Sequence, residues 1–252
     1  MTNRVLVLGG TGEARELAAR LAGRPGTEVI SSLAGRTSDP VLPPGRTRTG
    51  GFGGPDGLAA WLAGEQVGAV VDATHPFAAG ITATAVAATA RLGVPLLVLR
   101  RPGWTAGPGD DWRRVPSLAA AAAHLPGERV LLTVGRGGVR PFAADRHRWY
   151  LIRSVEAPDP PLPLRVRVVT ARGPFGLADE LALLRAHAID VVVTRDSGGA
   201  LTSAKLAAAR QLGLPVVMVD RPAVPDAPAV ATVGEALAWL GHCWPREGPG
   251  LR

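Results

Sequence analysis

The feature that most limits the fold is an alternation of short β-branched runs with alanine-rich helical stretches. Val5–Leu8, Val29–Leu33, Val67–Asp72 and Pro95–Leu99 read as strands; Glu13–Leu21, Asp56–Leu62 and Ala78–Leu92 read as the helices between them. Runs that are apolar throughout suit strands covered on both faces, as in a parallel sheet. Strand then helix, repeated, predicts a doubly wound α/β sheet. GWTAGPGDDWRR, from Gly103, breaks the pattern and reads as a linker or exposed excursion. The alternation then resumes with strands at Arg129–Val134, Arg148–Val155, Val166–Thr170, Ile189–Thr194 and Pro215–Val219. Helices are expected at Leu118–His124, Gly176–His187, Leu201–Leu212 and Gly234–Leu240. APDPPLPLR at 157–165 reads as a loop or edge segment, because its prolines cannot donate to a central ladder.

Two stretches echo each other. THPFAAGITATAVAATARLGVPLLVLRRP from Thr74 and TRDSGGALTSAKLAAARQLGLPVVMVDRP from Thr194 align without a gap, matching at Thr82/Thr202, Gly93/Gly213, Pro95/Pro215 and Arg101/Arg221 among others. Each reads as strand, polar loop, helix, tight turn, strand and exit. The expectation is two related Rossmann-like parallel-sheet domains, 1–102 and 103–252, with a cleft between them. Ligands of such sheets bind at the carboxyl ends of the strands.

Composition excludes several classes. The single cysteine, Cys243, rules out an internal disulfide and a cysteine metal cluster, and no metal site is expected. No stretch offers the roughly 18 uncharged apolar residues of a spanning helix, so no membrane role is expected. The opening apolar run is short for a secretion signal, and the reading is cytoplasmic. The net charge is +7, yet Lys205 is the only lysine, and the arginine excess resembles the codon bias of a GC-rich genome. The arginines form no stripe and aromatics are 4%, which argues against nucleic acid. A polyanionic small molecule fits the charge. Nothing in the sequence requires more than a monomer.

LVLGGTGEAR at 6–15 is a strand, a glycine-rich turn and a helix start. Gly9, Gly10 and Gly12 let backbone approach a pyrophosphate, and the amides after Thr11, at Gly12 and Glu13, face it with a favourable dipole. Arg15 stands where the full dinucleotide fingerprint has its third glycine, so a merely tight turn stays open as a reading. SLAGR at 32–36 places Ser31, Ser32 and Arg36 where NAD enzymes put a carboxylate; a guanidinium suits a 2′-phosphate and favours NADPH. GGFGG at 50–54 offers Gly51, Phe52 and Gly53 as a mobile or flat-ligand loop, with Phe52 stacking on a ring or buried in the turn. In DATHPFA at 72–78, Asp72 reads as a holder of loop amides, Thr74 as a cofactor contact and His75 as a proton donor or carboxylate ligand. TVGRGG at 133–138, with Arg136, and TRDSGG at 194–199, with Arg195, Asp196, Ser197, Gly198 and Gly199, are candidate carboxylate or phosphate binders. Lys205 lies on the following helix, as a solvated charge or as a needed amine.

Taken together, LGGTGEAR, SLAGR, GGFGG, DATHPFA, TVGR, RGPF at 172–175, TRDSGG, Lys205 and the VDRP exit resemble the precorrin-6A reductase family of corrin-ring biosynthesis, in order and over almost the whole chain. The resemblance implies two Rossmann-like domains, the first binding NADPH, the second contributing to a substrate cleft. It implies reduction of one double bond of the precorrin-6A macrocycle to give precorrin-6B. The substrate is then a polycarboxylate corrin precursor, which arginines can bind. Arg195 departs from the family pattern, where lysine is expected, and replaces a point charge by a planar fork.

Three rivals remain to compare. A short-chain dehydrogenase needs tyrosine four residues before lysine, but Tyr150 is the only tyrosine and Ser154 stands in the lysine's place. A two-domain glycosyltransferase would be longer. A non-enzymatic sensor closing over a nucleotide or anion fits the sequence and differs from the reductase only in lacking turnover.

Overall fold

A computed structural model of the chain describes residues 2–35 and 42–244. It divides into two compact units, Met1–Arg101 with Ala223–Arg252, and Pro102–Pro222. Each holds a six-stranded, wholly parallel sheet.

In the first unit, β1 (Asn3–Leu8), α1 (Gly12–Ala22), β2 (Thr27–Leu33), β3 (Arg46–Thr49), α2 (Gly54–Gly64), β4 (Ala69–Asp72), α3 (Ala79–Leu92) and β5 (Leu96–Leu99) follow in order. The second unit runs β6 (Trp112–Val115), α4 (Leu118–Ala123), β7 (Arg129–Thr133), β8 (Trp149–Ser154), β9 (Arg165–Thr170), α5 (Leu177–Ala186), β10 (Val191–Arg195), α6 (Ala204–Gln211) and β11 (Val216–Val219). The chain then returns to the first unit as β12 (Ala229–Val230) and α7 (Val233–Cys243). The strand orders are β12-β5-β4-β1-β2-β3 and β6-β11-β10-β7-β8-β9.

The burial of β1 shows why its sequence is apolar throughout. Val5 and Val7 face a core built with Leu17 and Leu21 of α1 and Leu237 and Leu240 of α7. Leu6 and Leu8 face the opposite core, with Leu58 and Leu62 of α2 and Ala85 and Ala88 of α3. Alternate side chains leave opposite faces of a strand, so a sheet covered twice needs apolar residues at every position. The internal echo is real structure: β5 and β11 occupy matching places, and Gly93 and Gly213 both end the preceding helical segment in the left-handed region, at φ +66° and +64°.

Two expectations are corrected. GWTAGPGDDWRR is not all linker, because Trp112–Val115 forms β6 at the edge of the second sheet, paired with β11. The chain after Pro222 does not belong to the second unit. β12 pairs with β5, and Val233, Ala236, Leu237 and Leu240 bury against the α1 side of the first sheet. Burial of each larger side chain there contributes roughly 1.5–3 kcal/mol, which draws the tail back. Among the described residues, no helix is long and apolar enough to cross a membrane.

Candidate active site

In the first unit the order reverses between β1 and β4, so their carboxyl ends open the crevice where doubly wound sheets take ligands. The turn after β1 supplies backbone there. Gly10 has φ +112°, and among the described residues nothing lies within 4 Å of where a Cβ would stand. Thr11 caps α1, its hydroxyl accepting from the Ala14 amide at 3.1 Å and donating to the Ala73 carbonyl at 2.7 Å. That hydroxyl therefore ties the glycine turn to the loop after β4, and its hydrogen bonds are spent within the protein. Glu13 pairs with Arg101 at 2.8 Å. These two side chains hold the turn in shape, and the backbone amides at the start of α1 are the groups the sequence offered for binding.

The loop after β4 is ordered by Asp72, which is buried. Its carboxylate accepts from the Thr74 amide at 3.0 Å, the Thr74 hydroxyl at 2.6 Å and the Thr82 hydroxyl at 2.5 Å. Asp72 thus holds loop groups, as its position suggested. His75 is half-buried, and its Nδ1 accepts the Phe77 amide at 3.2 Å. That bond assigns the proton of the neutral ring to Nε2.

At the carboxyl ends of β2 and β3 the structure gathers Ser32 and GGFGG around a residue that the sequence reading passed over. Arg48 donates to the Ser32 hydroxyl at 2.8 Å and to the Gly50 and Gly51 carbonyls at 3.0 Å each. Its guanidinium lies 3.8 Å from the Phe52 ring centroid. Phe52 also meets Trp61 edge-on at 5.4 Å. One face of Phe52 is therefore covered by a cation and cannot stack on a flat ligand. Gly53, at φ +79°, is the cap residue of α2. Ser31 lies buried, its hydroxyl without a hydrogen-bond partner among the described residues. Arg36 lies outside the described residues.

In the second unit the corresponding reversal lies between β7 and β10. Gly135, at φ +72°, sits against Arg195: a Cβ there would stand 3.0 Å from the guanidinium. Arg136 pairs with Glu156 at 3.0 Å. The Asp196 carboxylate accepts from the Trp104 amide at 2.9 Å and pairs with Arg114 at 3.0 Å. It anchors the segment that leads into β6. Ser197 turns back on Arg195, its amide donating to that residue's carbonyl at 2.6 Å. Gly198, at φ +66°, leaves no space for a Cβ, which would meet the Pro102 carbonyl oxygen at 2.1 Å. Gly199 is exposed, and its carbonyl accepts from the Trp104 indole at 2.9 Å.

Lys205 is not a solvated charge. It is 4% exposed, donates to the Thr202 carbonyl at 2.5 Å and lies 4.8 Å from the Trp104 ring. Burial, helped by the Arg153 and Arg195 charges against Glu180, pushes its amine down to about 7. Beside it Arg153 pairs with Glu180 at 2.7 Å, both buried, and stacks on Phe175 at 3.9 Å. Arg153, Glu180 and Trp104 carried no motif signal; Phe175 lay in RGPF, which had no role attached. Among the described residues no group of acidic, histidine and cysteine side chains could hold a metal.

Two parallel sheets, each with a glycine-bearing turn at its switch point, define a Rossmann-like α/β protein. The family described as Precorrin-6x reductase CbiJ/CobK matches residues 4–241. A precorrin-6A reductase of Rhodococcus erythropolis is 55% identical, over 94% of this chain and 97% of its own. That of Rhodobacter capsulatus is 51% identical, over 94% and 95%. A solved structure, "CobK precorrin-6A reductase", superposes with a TM-score of 0.90 at 50% identity, over 96% of this chain and 97% of its own. The chain belongs to the CbiJ/CobK precorrin-6x reductase family and is an oxidoreductase. Membership implies a nicotinamide cofactor and a precorrin tetrapyrrole substrate.

Proposed function

We propose that this protein reduces one double bond of precorrin-6A with NADPH, giving precorrin-6B, as a step of cobalamin biosynthesis. The observation that carries the reading is 50–55% identity, along nearly the whole chain, to proteins named precorrin-6A reductase. The first unit fits the cofactor: Gly10 leaves open space above the turn, and the amides of Gly12 and Glu13 open α1. Gly9 lets the backbone come close, and Thr74 stands on the neighbouring loop that Asp72 orders. NADPH supplies a hydride to an electrophilic ring carbon of the macrocycle, whose conjugated system takes the electron pair.

The protein's own part is binding, orientation and a proton. His75 is the donor, through Nε2–H, because Nδ1 is engaged by the Phe77 amide. Arg136, Arg195, Ser197 and Lys205, with the Gly198–Gly199 backbone, supply the second unit's donors for the acetate and propionate groups of the substrate. Arg195 brings a planar fork to this task. Positioning then provides most of the rate.

Anaerobic incubation with NADPH and either the metal-free or the cobalt-containing macrocycle tests the reading. The product should gain two hydrogens by mass, with NADPH oxidised only when macrocycle is added. Cofactor binding without oxidation would overturn the reductase and favour a sensor.

A further inference from the structure

We propose that Arg48 and Ser32 form the subsite for the 2′-phosphate on the adenosine ribose of the cofactor, and so set the choice of NADPH over NADH. The inference deepens the cofactor reading above and rests on it. β2 and β3 are parallel neighbours, and Ser32 and Arg48 are register partners near their carboxyl ends. In doubly wound folds the end of the second strand is where the ribose hydroxyls are read.

The side chain is held in advance. Its two terminal nitrogens bond the Ser32 hydroxyl and the Gly50 and Gly51 carbonyls, and its flat face rests on Phe52. Each of these partners is neutral. Other arginines on nearby elements are matched by carboxylates, Arg46 by Glu65 and Arg101 by Glu13. Among the described residues no carboxylate forms an ion pair with Arg48. Burial lowers its pKa. A partly desolvated cation fixed by neutral acceptors recovers its solvation cost only when an anion arrives. Among the described residues nothing lies within 4 Å of a Cβ placed on Gly50, Gly51 or Gly53, which leaves space beside the guanidinium. A planar guanidinium suits a phosphate monoester by a bidentate contact.

The test is binding, read without turnover. Calorimetry measures NADP+ and NAD+ on the wild type, on Arg48→Gln and on Arg48→Lys, with thermal melting to confirm folding. Loss of charged hydrogen bonds should weaken NADP+ binding by about 10- to 100-fold in Arg48→Gln, and NAD+ binding far less. Arg48→Lys, which keeps the charge and loses the fork, should fall between and carries the test if the glutamine variant does not fold. On the wild type, 2′-AMP should compete with NADP+ more strongly than 5′-AMP. Equal losses for both dinucleotides, no loss, or a stronger 5′-AMP would overturn the assignment of Arg48. A wild type that binds NADP+ and NAD+ equally would instead overturn the NADPH reading.

Discussion

Lys205→Met should stabilise the folded second unit at neutral pH and remove a pH dependence of stability, and the reason lies in where the amine sits. Lys205 is on α6, buried, with Nζ donating to the Thr202 carbonyl. Burial is the largest cause of its depressed pKa, from an ordinary 10.5 to about 7, with Arg153 next. Above 10.5 the amine is neutral in the folded and the unfolded chain, and no penalty exists. As pH falls from there toward about 7, the unfolded chain holds a proton that the folded chain does not. Stability then falls by about 1.4 kcal/mol per pH unit. Below the folded pKa both states are protonated and the whole penalty is in place, on the order of 5 kcal/mol. Methionine keeps most of the volume and does not titrate. The stability gap between variant and wild type should therefore be small near pH 10 and grow to several kcal/mol near pH 7, by order of magnitude. Urea denaturation of both proteins at a series of pH values measures it. A gap that stays constant across that range would refute the reasoning, since it would show that Lys205 holds the same proton folded and unfolded. The only lysine of the chain thus stands where it costs the fold stability.

Two further outcomes follow from geometry. His75→Ala should lower kcat by about 10²- to 10⁴-fold while the NADP+ dissociation constant moves little; near-normal turnover with an intact fold would remove His75 as proton donor. Leu237→Ala, on the face of α7 buried against α1, should destabilise the first unit by about 2–5 kcal/mol in chemical denaturation; a negligible change would mean that α7 contributes little to that core.

Central strands were legible because both of their faces are covered. β1, β7 and β10 read as apolar runs. β9, at one edge, was read as Val166–Thr170, but the other three edge strands were not legible. β3 is RTRT and β6 is WRRV, half-exposed segments whose pairing is decided by the neighbouring strand and not by their own composition. β12 is two residues long and carries no pattern. The site shows the same division. Glycine turns and the Asp72 loop were readable because backbone geometry imposes residue types. Roles of individual side chains were less so: that the Thr11 hydroxyl ties to the Ala73 carbonyl and the Asp196 carboxylate to the Trp104 amide carried no sequence signal. Arg48 was hidden in an edge strand that had not been recognised, so its place beside Ser32 could not be inferred.

The late return of the chain to its first sheet has a consequence for synthesis. The second unit is one continuous segment, whereas the first is finished only by a segment that follows the second unit in the chain. During translation the whole second unit is synthesised before α7. Until then, the apolar surface of Val5, Val7, Leu17 and Leu21 that α7 will cover stays open to solvent. A nascent or truncated chain ending near Pro222 therefore carries a complete second sheet and a first sheet with one face partly bare, the kind of surface that aggregates or recruits chaperones.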